Sequence, residues 1–230
     1  MIWLFDYDLT LYGEDERMVL DSLDERISLS VQKATGADYE RAHEIRKDYL
    51  KRFGTTLSGL QAMHGVNPDD FFDFIHQPEF LVYPKPSPEK EKLISKLPGR
   101  RFVFTNGRRD WSEAGMERMG IRHCFEDVFD LKQMDWEGKP HDSAYQKVEK
   151  YLSKKVPGEF SEGIPVNPRK IILLEDSLRN LEPAHRRGWI TVLVNPVAAS
   201  PDWVDFHVPH LLQLDDILGL LENFLDGPSK

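Results

Sequence analysis

The chain has 230 residues, of which 40% are hydrophobic and 30% are charged, as is typical of a globular protein with one large domain or a domain with an appendage. Its formal net charge of −9 argues against a nucleic-acid polymer or an acidic membrane as the partner, because surfaces that bind these polyanions are basic. The lack of an apolar run of roughly 18 residues and the single cysteine, Cys124, predict no membrane span and no internal disulfide, so a cytoplasmic location is expected.

Five short apolar segments predict buried β-strands, because strands covered on both faces are rich in β-branched and aromatic residues. Helical patterns lie between them, and this alternation predicts an α/β fold with a doubly wound parallel sheet. The predicted strands are Ile2–Phe5, Arg101–Thr105, Asp127–Leu131, Lys170–Leu174 and Ile190–Val194. The helices predicted between and after them are Glu89–Leu97, Arg109–Met119, Asp142–Leu152, Leu178–Arg187 and Asp215–Leu225.

Residues 14–82 interrupt this alternation, because they contain helical patterns and no strand signal. Helices are predicted over Glu14–Ala34 and Tyr39–Phe53, with shorter pieces as far as about Ile75. We therefore predict an all-helical cap domain at residues 14–82, inserted into a core domain of residues 1–13 and 83–230. A second irregular segment, residues 153–168, is rich in Pro and Gly and is predicted to form a surface excursion.

Polar residues follow four of the predicted strands. The carboxyl ends of parallel strands share one edge of a sheet, where ligands bind, so we expect these side chains to lie together. Taken singly, an Asp-x-Asp pair can form a turn and Thr-Asn-Gly can begin a helix. Two features are not explained by local structure. Lys139 precedes a predicted helix, and a cation at that position opposes the helix dipole. Glu175 and Asp176 are adjacent carboxylates, which repel each other unless they share a cation. The full set is Asp6, Asp8, Thr105, Asn106, Lys139, Glu175 and Asp176.

These residue types favour phosphoryl transfer through an aspartyl phosphate. The carboxylates of Asp6, Asp176 and Glu175 are hard oxygen ligands suited to Mg²⁺, and Lys139 with the metal would neutralise a phosphate. Thr105 and Asn106, with backbone N–H groups at the start of the next helix, would hold the phosphoryl oxygens. Of the first two aspartates, one would attack phosphorus, and the other would protonate the leaving alkoxide and then take a proton from water.

Four segments, FDYDLTLY, FTNG, GKP and LLEDS, resemble the four motifs of the haloacid dehalogenase (HAD) superfamily in that family's order. The helical insertion lies where members of the family carry a cap. The resemblance implies that Asp6 is the nucleophile and that Asp8 is the general acid/base, with its backbone carbonyl also on the metal. It implies phosphate binding by Thr105 and Lys139 and a metal site completed by Asp176. The dehalogenases proper lack the second aspartate and the metal, so Asp8 favours phosphate chemistry.

A narrower resemblance, to pyrimidine 5′-nucleotidase-type members, rests on Leu11-Tyr12, on FGTTLSGL and HGV in the insertion, and on EDSLRNLEPAHRRG. Two positions depart from that pattern, Leu9 where Asn is common and Glu175 where Asp is often found, and neither change removes a catalytic group. The resemblance implies a nucleoside monophosphate as substrate. Candidate specificity residues, whose polar groups could meet a base edge or a phosphate, are Arg46, Arg52, Thr55, Thr56 and Arg108.

Two other functions stay open at this stage. A sugar-phosphate or phosphoglycolate-type phosphatase, or a phosphomutase, could use the same residues, and a phosphomutase would pass its phosphate to a second substrate. A non-enzymatic binding module could retain the fold, although every motif position holds a chemically competent residue. The eight histidines show no zinc-binding spacing. In each enzymatic case the expected partner is a small phosphorylated metabolite.

Overall fold

A computed structural model describes residues 1–196 and 199–226, with side chains described as far as Leu221. Its strands are β1 (Ile2–Phe5), β2 (Arg100–Phe104), β3 (Asp127–Phe129), β4 (Phe160–Ser161), β5 (Ile164–Pro165), β6 (Ile171–Glu175), β7 (Ile190–Val194) and β8 (Phe206–Val208). Six of them form a parallel sheet in the order β3-β2-β1-β6-β7-β8, and β4 and β5 form a separate antiparallel hairpin.

Strand β1 lies at the centre of the sheet. Its residues Ile2–Phe5 pair with Arg100–Val103 of β2 on one side and with Ile171–Leu174 of β6 on the other. All four side chains of β1 are buried, so both faces of the sheet are covered at this point. Strands β2 and β3 lie on one side of β1, and β6, β7 and β8 lie on the other, so the strand order reverses at β1. In open α/β sheets a ligand cleft forms at the carboxyl ends of the strands at such a switch point.

The helices are α1 (Met18–Thr35), α2 (Tyr39–Phe53), α3 (Thr56–His64), α4 (Pro68–Ile75), α5 (Pro88–Ser95), α6 (Arg109–Met119), α7 (Asp142–Lys155), α8 (Leu178–Arg186) and α9 (Leu214–Asp226). Four of them begin at side-chain caps, because Asp38, Thr55, Asn67 and Ser87 each accept a hydrogen bond from a free backbone N–H of the first turn. No helix in the described residues is long and apolar enough to cross a membrane.

Helices α1–α4 form the insertion between β1 and α5. Its apolar side chains include Val19, Val31 and Tyr49, which are buried. Gly59 lets α3 approach α2 closely, since a Cβ at this position would lie 2.4 Å from the ring of Tyr49 on α2. The predicted fold class, a doubly wound parallel sheet with an inserted helical cap, is confirmed. The domain boundaries at residues 13 and 83 stay a prediction.

The structure differs from the sequence-based prediction in several places, including small shifts in the bounds of helices α5, α8 and α9. Residues 14–34 begin with a 3₁₀ turn at Glu14–Glu16, and helix α1 starts only at Met18. The excursion at 153–168 is more regular than predicted, because α7 extends to Lys155 and is followed by the β4–β5 hairpin. Strand β8 was not predicted, since it has three residues and only Val208 is buried. The predicted bounds of β2, β3 and β6 differ from the observed ones by one or two residues.

Candidate active site

The side chain of Lys139 connects the ends of three strands. Its Nζ donates to Asp6 Oδ1 at 2.8 Å, to Glu175 Oε2 at 2.6 Å and to the backbone oxygen of Phe104 at 2.8 Å. An ammonium has three donors, so each finds an acceptor here. The residue is 1% exposed. Burial alone would lower the pKa of Lys139, but Asp6 and Glu175 outweigh it and raise this pKa above its usual range, so the group is a cation.

The backbone of Lys139 is held from the neighbouring loop. Its N–H donates to Asn106 Oδ1 at 2.8 Å, and its carbonyl accepts from Asn106 Nδ2 at 2.8 Å. Gly138 makes this approach possible, since a Cβ there would lie 2.3 Å from Asn106 Oδ1. The amide of Asn106 therefore positions Lys139, a role that the sequence did not indicate, and phosphate binding by Asn106 stays a prediction.

Three carboxylates lie beside this ammonium. Asp6, Glu175 and Asp176 each offer an oxygen within 4.8 Å of the others. Burial, followed by the charge of Glu175, raises the pKa of Asp6 to about 8. The same two causes raise the pKa of Asp176 well above its usual range. If all three carboxylates were ionised against one ammonium, the cluster would carry two excess negative charges, and an oxygen-ligating divalent cation fits this donor set.

Glu175 is already well supplied with donors. Its Oε2 accepts from Lys139, and its Oε1 accepts from Ser177 N at 3.3 Å and from Asn180 Nδ2 at 3.2 Å. The carboxylates of Asp6 and Asp176 are therefore the better candidates for direct contact with a metal. Asn180 belongs to the segment EDSLRNLEPAHRRG, which carries part of the narrower resemblance, and its amide helps to orient Glu175.

Asp8 lies in a different environment from Asp6. Its Oδ1 accepts from Tyr12 Oη at 2.6 Å and from Trp111 Nε1 at 3.0 Å. Burial raises the pKa of Asp8, and these two donors act against that rise. Both donors bind the same oxygen, so neither of them occupies Oδ2. Sequence reasoning did not single out either donor for this role, although Trp111 lies in the first turn of α6, four residues after the end of the FTNG motif.

The turn that separates Asp6 from Tyr12 contains a strained residue. Leu9 has φ 59°, in the left-handed region, while Leu11 N donates to Tyr7 O at 3.0 Å to close the turn. Asn tolerates this conformation better than Leu does, because its short side chain can bond locally. The departure noted at this position therefore falls where the backbone favours Asn.

Thr105 is buried at the end of β2. Its Oγ1 accepts from Gly107 N at 3.0 Å, which leaves the hydroxyl proton for donation. Helix α6 begins four residues later, at Arg109, so backbone N–H groups of its first turn lie in the same part of the chain. The first of them, Arg109 N–H, already donates to Asp130 Oδ2 at 2.9 Å, and a phosphate role for Thr105 stays a prediction.

Arg108 links the helical insertion to the core. Its Nη1 lies 2.8 Å from Asp73 Oδ1 of α4, and its Nε and Nη2 bond both oxygens of Asp110. His76, just after α4, contacts the same Asp110 through Nδ1 at 3.0 Å and stacks on Trp111. The structure thus places Arg108, a predicted specificity residue, in an ion pair across the cap–core boundary.

A second contact between cap and core involves the end of α2. Arg179 donates to the carbonyls of Leu50 at 2.9 Å and Lys51 at 3.3 Å. His141 Nε2 lies 3.0 Å from the carbonyl of Phe53. The last carbonyls of a helix lack partners within it and carry negative partial charge, so the Arg179 cation binds them well.

Arg46 is the buried arginine among the predicted specificity residues, and Thr55 and Thr56 are buried as well. Its Nη1 is ion-paired with Asp24 of α1, and its Nε has no partner among the described residues. Asp24 is close enough for its charge to raise the pKa of Asp8. The Arg46–Asp24 pair therefore lies within electrostatic range of the candidate acid.

The other predicted specificity residues differ in exposure. Thr55 caps α3 by accepting from Ser58 N at 3.0 Å, and Thr56 Oγ1 lies 3.5 Å from the carbonyl of Arg46. Arg52 is exposed, bonds Asp48 at 3.0 Å and lines a cleft of about 520 Å³. Specificity roles for all of them stay predictions. The other residues lining this cleft are Phe53, Ser58, Gln61, Ala62, Asp135, Trp136, Glu137 and His141.

Comparison with known proteins identifies the family. An HAD phosphatase from Thermococcus onnurineus is 18% identical, with 95% of this chain and 97% of that chain covered and a TM-score of 0.61. The HAD-hydrolase YfnB from Bacillus subtilis bound to magnesium is 19% identical, with 95% of this chain and 98% of that chain covered and a TM-score of 0.58. An L-2-haloacid dehalogenase from Xanthobacter autotrophicus is 15% identical, with 95% of this chain and 98% of that chain covered and a TM-score of 0.56. At such identities these likenesses show the fold alone. The family model described as haloacid dehalogenase-like hydrolase matches residues 3–188, most of the chain, and this chain therefore belongs to the haloacid dehalogenase-like hydrolases.

Proposed function

We propose that the chain is a Mg²⁺-dependent phosphomonoester hydrolase that acts through an aspartyl phosphate on Asp6. The observation that carries this proposal is the second carboxyl, Asp8, with one oxygen held by two donors, the other left for proton transfer, and a raised pKa. A halide leaves as a stable anion and needs no proton, whereas the alkoxide of a phosphate ester does. A positioned acid beside the nucleophile therefore favours phosphate esters over haloacids.

Two steps follow for the residues of this chain. A carboxylate oxygen of Asp6 forms a bond to phosphorus while the bond from phosphorus to the alkoxide breaks, and Asp8 gives its proton to that alkoxide. Water then attacks phosphorus, Asp8 takes a proton from the water, and the bond from phosphorus to Asp6 breaks. Lys139 supplies positive charge, and the Thr105 hydroxyl with nearby N–H groups holds phosphoryl oxygens.

The acidic cluster suits Mg²⁺. Asp6, Asp176 and the backbone carbonyl of Asp8 would hold the ion, with Glu175 acting through Lys139 or through a bound water. When bound, Mg²⁺ supplies positive charge that neutralises the phosphate and keeps the Asp6 carboxylate ionised. This second effect matters because burial and the charge of Glu175 raise the pKa of Asp6 and so disfavour the ionised form that attacks phosphorus.

Within the phosphatases we propose a 5′-nucleotidase that prefers pyrimidine monophosphates. The phosphate-binding residues contact only the group that all phosphomonoesters share, so the leaving part must be selected by the cap. The buried Arg46, with an Nε that has no partner among the described residues and an ion pair to Asp24, is the strongest candidate for this contact. A polar contact discriminates well, because a wrong substrate leaves it unpaired.

The proposed reaction predicts Mg²⁺-dependent release of phosphate from small phosphomonoesters and no release of halide from short 2-haloacids. The Asp6→Asn variant should release no phosphate, because an amide cannot attack phosphorus. Both assays use the purified protein with Mg²⁺ and with a chelator. Halide release without phosphatase activity would contradict the proposal and favour the dehalogenase reaction.

The role of Asp8 predicts a loss that depends on the leaving group. Asp8→Asn should slow alkyl phosphates by about 10²–10⁴-fold and aryl phosphates much less, since general acid catalysis matters most for a poor leaving group. Tyr12→Phe and Trp111→Phe each remove one donor and should give smaller losses in the same direction. First-step rates from rapid-quench kinetics test this. Equal losses for aryl and alkyl esters would show that Asp8 is not the acid.

The metal site predicts stabilisation by Mg²⁺. At about 100 times the Kd, a ligand that binds only the folded state adds about 2.7 kcal/mol, or about 5–10 °C in Tm for a chain of this size. Asp176→Asn should abolish most of this shift in a thermal scan, whereas Asn at the exposed Asp202 should leave it unchanged. A full shift in the Asp176 variant would argue against ligation by this residue.

The nucleotidase assignment predicts higher kcat/KM for UMP or CMP than for AMP or GMP. Arg46→Lys should reduce this ratio by roughly tenfold or more, since a hydrogen bond to a charged donor contributes about 1.5–3 kcal/mol, and should change hydrolysis of a small aryl phosphate less. Arg41→Lys, at an exposed position of the same helix, is the matched control. Equal efficiency on purine and pyrimidine substrates, or a preference for a sugar phosphate, would refute the nucleotidase assignment and leave the phosphatase proposal standing.

A further inference from the structure

A second group of metal-binding side chains lies outside the candidate active site, where helix α5 meets the 3₁₀ turn at Arg122–Cys124. His123 Nε2 lies 3.3 Å from Glu91 Oε1 and 3.8 Å from Cys124 Sγ. The three ligand atoms all lie within 4.8 Å of one another. The side chains come from two segments about 30 residues apart, which explains why no spacing of histidines in the sequence indicated the group.

We propose that Glu91, His123 and Cys124 bind Zn²⁺. Zinc takes a thiolate at about 2.3 Å and imidazole or carboxylate atoms at about 2.0–2.2 Å, so ligand atoms in a tetrahedral site stand about 3.3–3.6 Å apart. The observed separations of 3.3 and 3.8 Å are close to this spacing. A thiolate and an imidazole favour Zn²⁺ over Mg²⁺, which prefers oxygen ligands alone.

The surroundings of the three ligands suit a metal ion. Ser95 Oγ lies 3.3 Å from Glu91 Oε1 and 3.2 Å from Cys124 Sγ, so a hydroxyl group stands beside two of the three ligands. Glu91 and Ser95 are one helical turn apart and share a face of α5. Cys124 is buried, while the side chain of His123 is 67% exposed and leaves the site accessible to an ion.

The bound ion would join α5 to the turn that leads into β3. On binding, the Cys124 thiol releases its proton to solvent and the thiolate forms the bond to zinc. No redox step or co-reactant is needed. The site differs in chemistry from the acidic cluster of Asp6, Glu175 and Asp176, whose ligands are all oxygen atoms, and this difference allows the two to be measured separately.

Cobalt serves as a spectroscopic probe for this site. The protein is first freed of transition metals and kept without oxygen or added thiols. It is then titrated with Co²⁺ in the presence of excess Mg²⁺, which fills the acidic cluster. We expect a thiolate-to-cobalt charge-transfer band that saturates at one Co²⁺ per chain and disappears when one equivalent of Zn²⁺ is added. An all-oxygen site cannot give this band, so the signal reports the Cys124 site alone.

Variants test two of the three ligands. Cys124→Ser should abolish the band, and His123→Ala should weaken Zn²⁺ affinity by at least about tenfold, the loss that even changes around metal ligands cause. His123 is exposed, so its variant keeps the fold even if the Cys124 variant does not. Glu89→Gln, at an exposed carboxylate of the same helix, is the matched control and should change nothing. Absence of the band in the unaltered protein, or an unchanged affinity in His123→Ala, would overturn the proposal.

Discussion

The candidate site depends on one buried ammonium group. Removing such a cation from water costs several kcal/mol, which only well-placed acceptors offset, and Lys139 finds them on β1, β2 and β6. The three strands must therefore be in register before the site exists. Asn106 and Gly138 serve the same interaction by fixing the backbone of Lys139. Loss of one partner from a buried ion pair typically costs about 3–5 kcal/mol, so this interaction ties the stability of the sheet centre to the chemistry of its edge.

Two carboxyl groups only two residues apart, those of Asp6 and Asp8, have different surroundings. Asp6 lies among charged groups, where its pKa responds to Lys139, to the neighbouring carboxylates and to any bound cation, whereas Asp8 is held by the neutral donors Tyr12 and Trp111. Different environments of this kind let two identical side chains act as nucleophile and acid. The helical insertion also contacts the core at the start of α6, where Arg108 forms an ion pair with Asp73 and His76 stacks on Trp111. The contact that orients the candidate acid and the contact that holds the cap are thus only a few residues apart.

Much of the fold was predictable from sequence, because buried parallel strands such as Ile171–Glu175 are nearly continuous apolar runs. Strand β8 was not, since an edge strand with one buried side chain lacks that signal. The convergence of Asp6, Lys139 and Glu175 follows from their positions at strand ends, and the structure brings them together as expected. The hydrogen-bond partners of the site residues were not predicted. Trp111, for example, donates to Asp8 although the two residues are 103 positions apart in sequence, and no local pattern encodes such a contact. The roles of these residues in catalysis stay predictions.

The central claim is that a phosphoryl group passes through Asp6. The most direct measurement quenches the protein during turnover of a phosphomonoester with Mg²⁺, reduces the acyl phosphate with borohydride and locates the resulting homoserine by peptide mass spectrometry. We expect reduction at Asp6 alone, and none at Asp8 or in protein quenched without substrate. Modification at Asp8, or full turnover with no trapped acyl phosphate under conditions where a control aspartyl-phosphate enzyme is labelled, would contradict the mechanism.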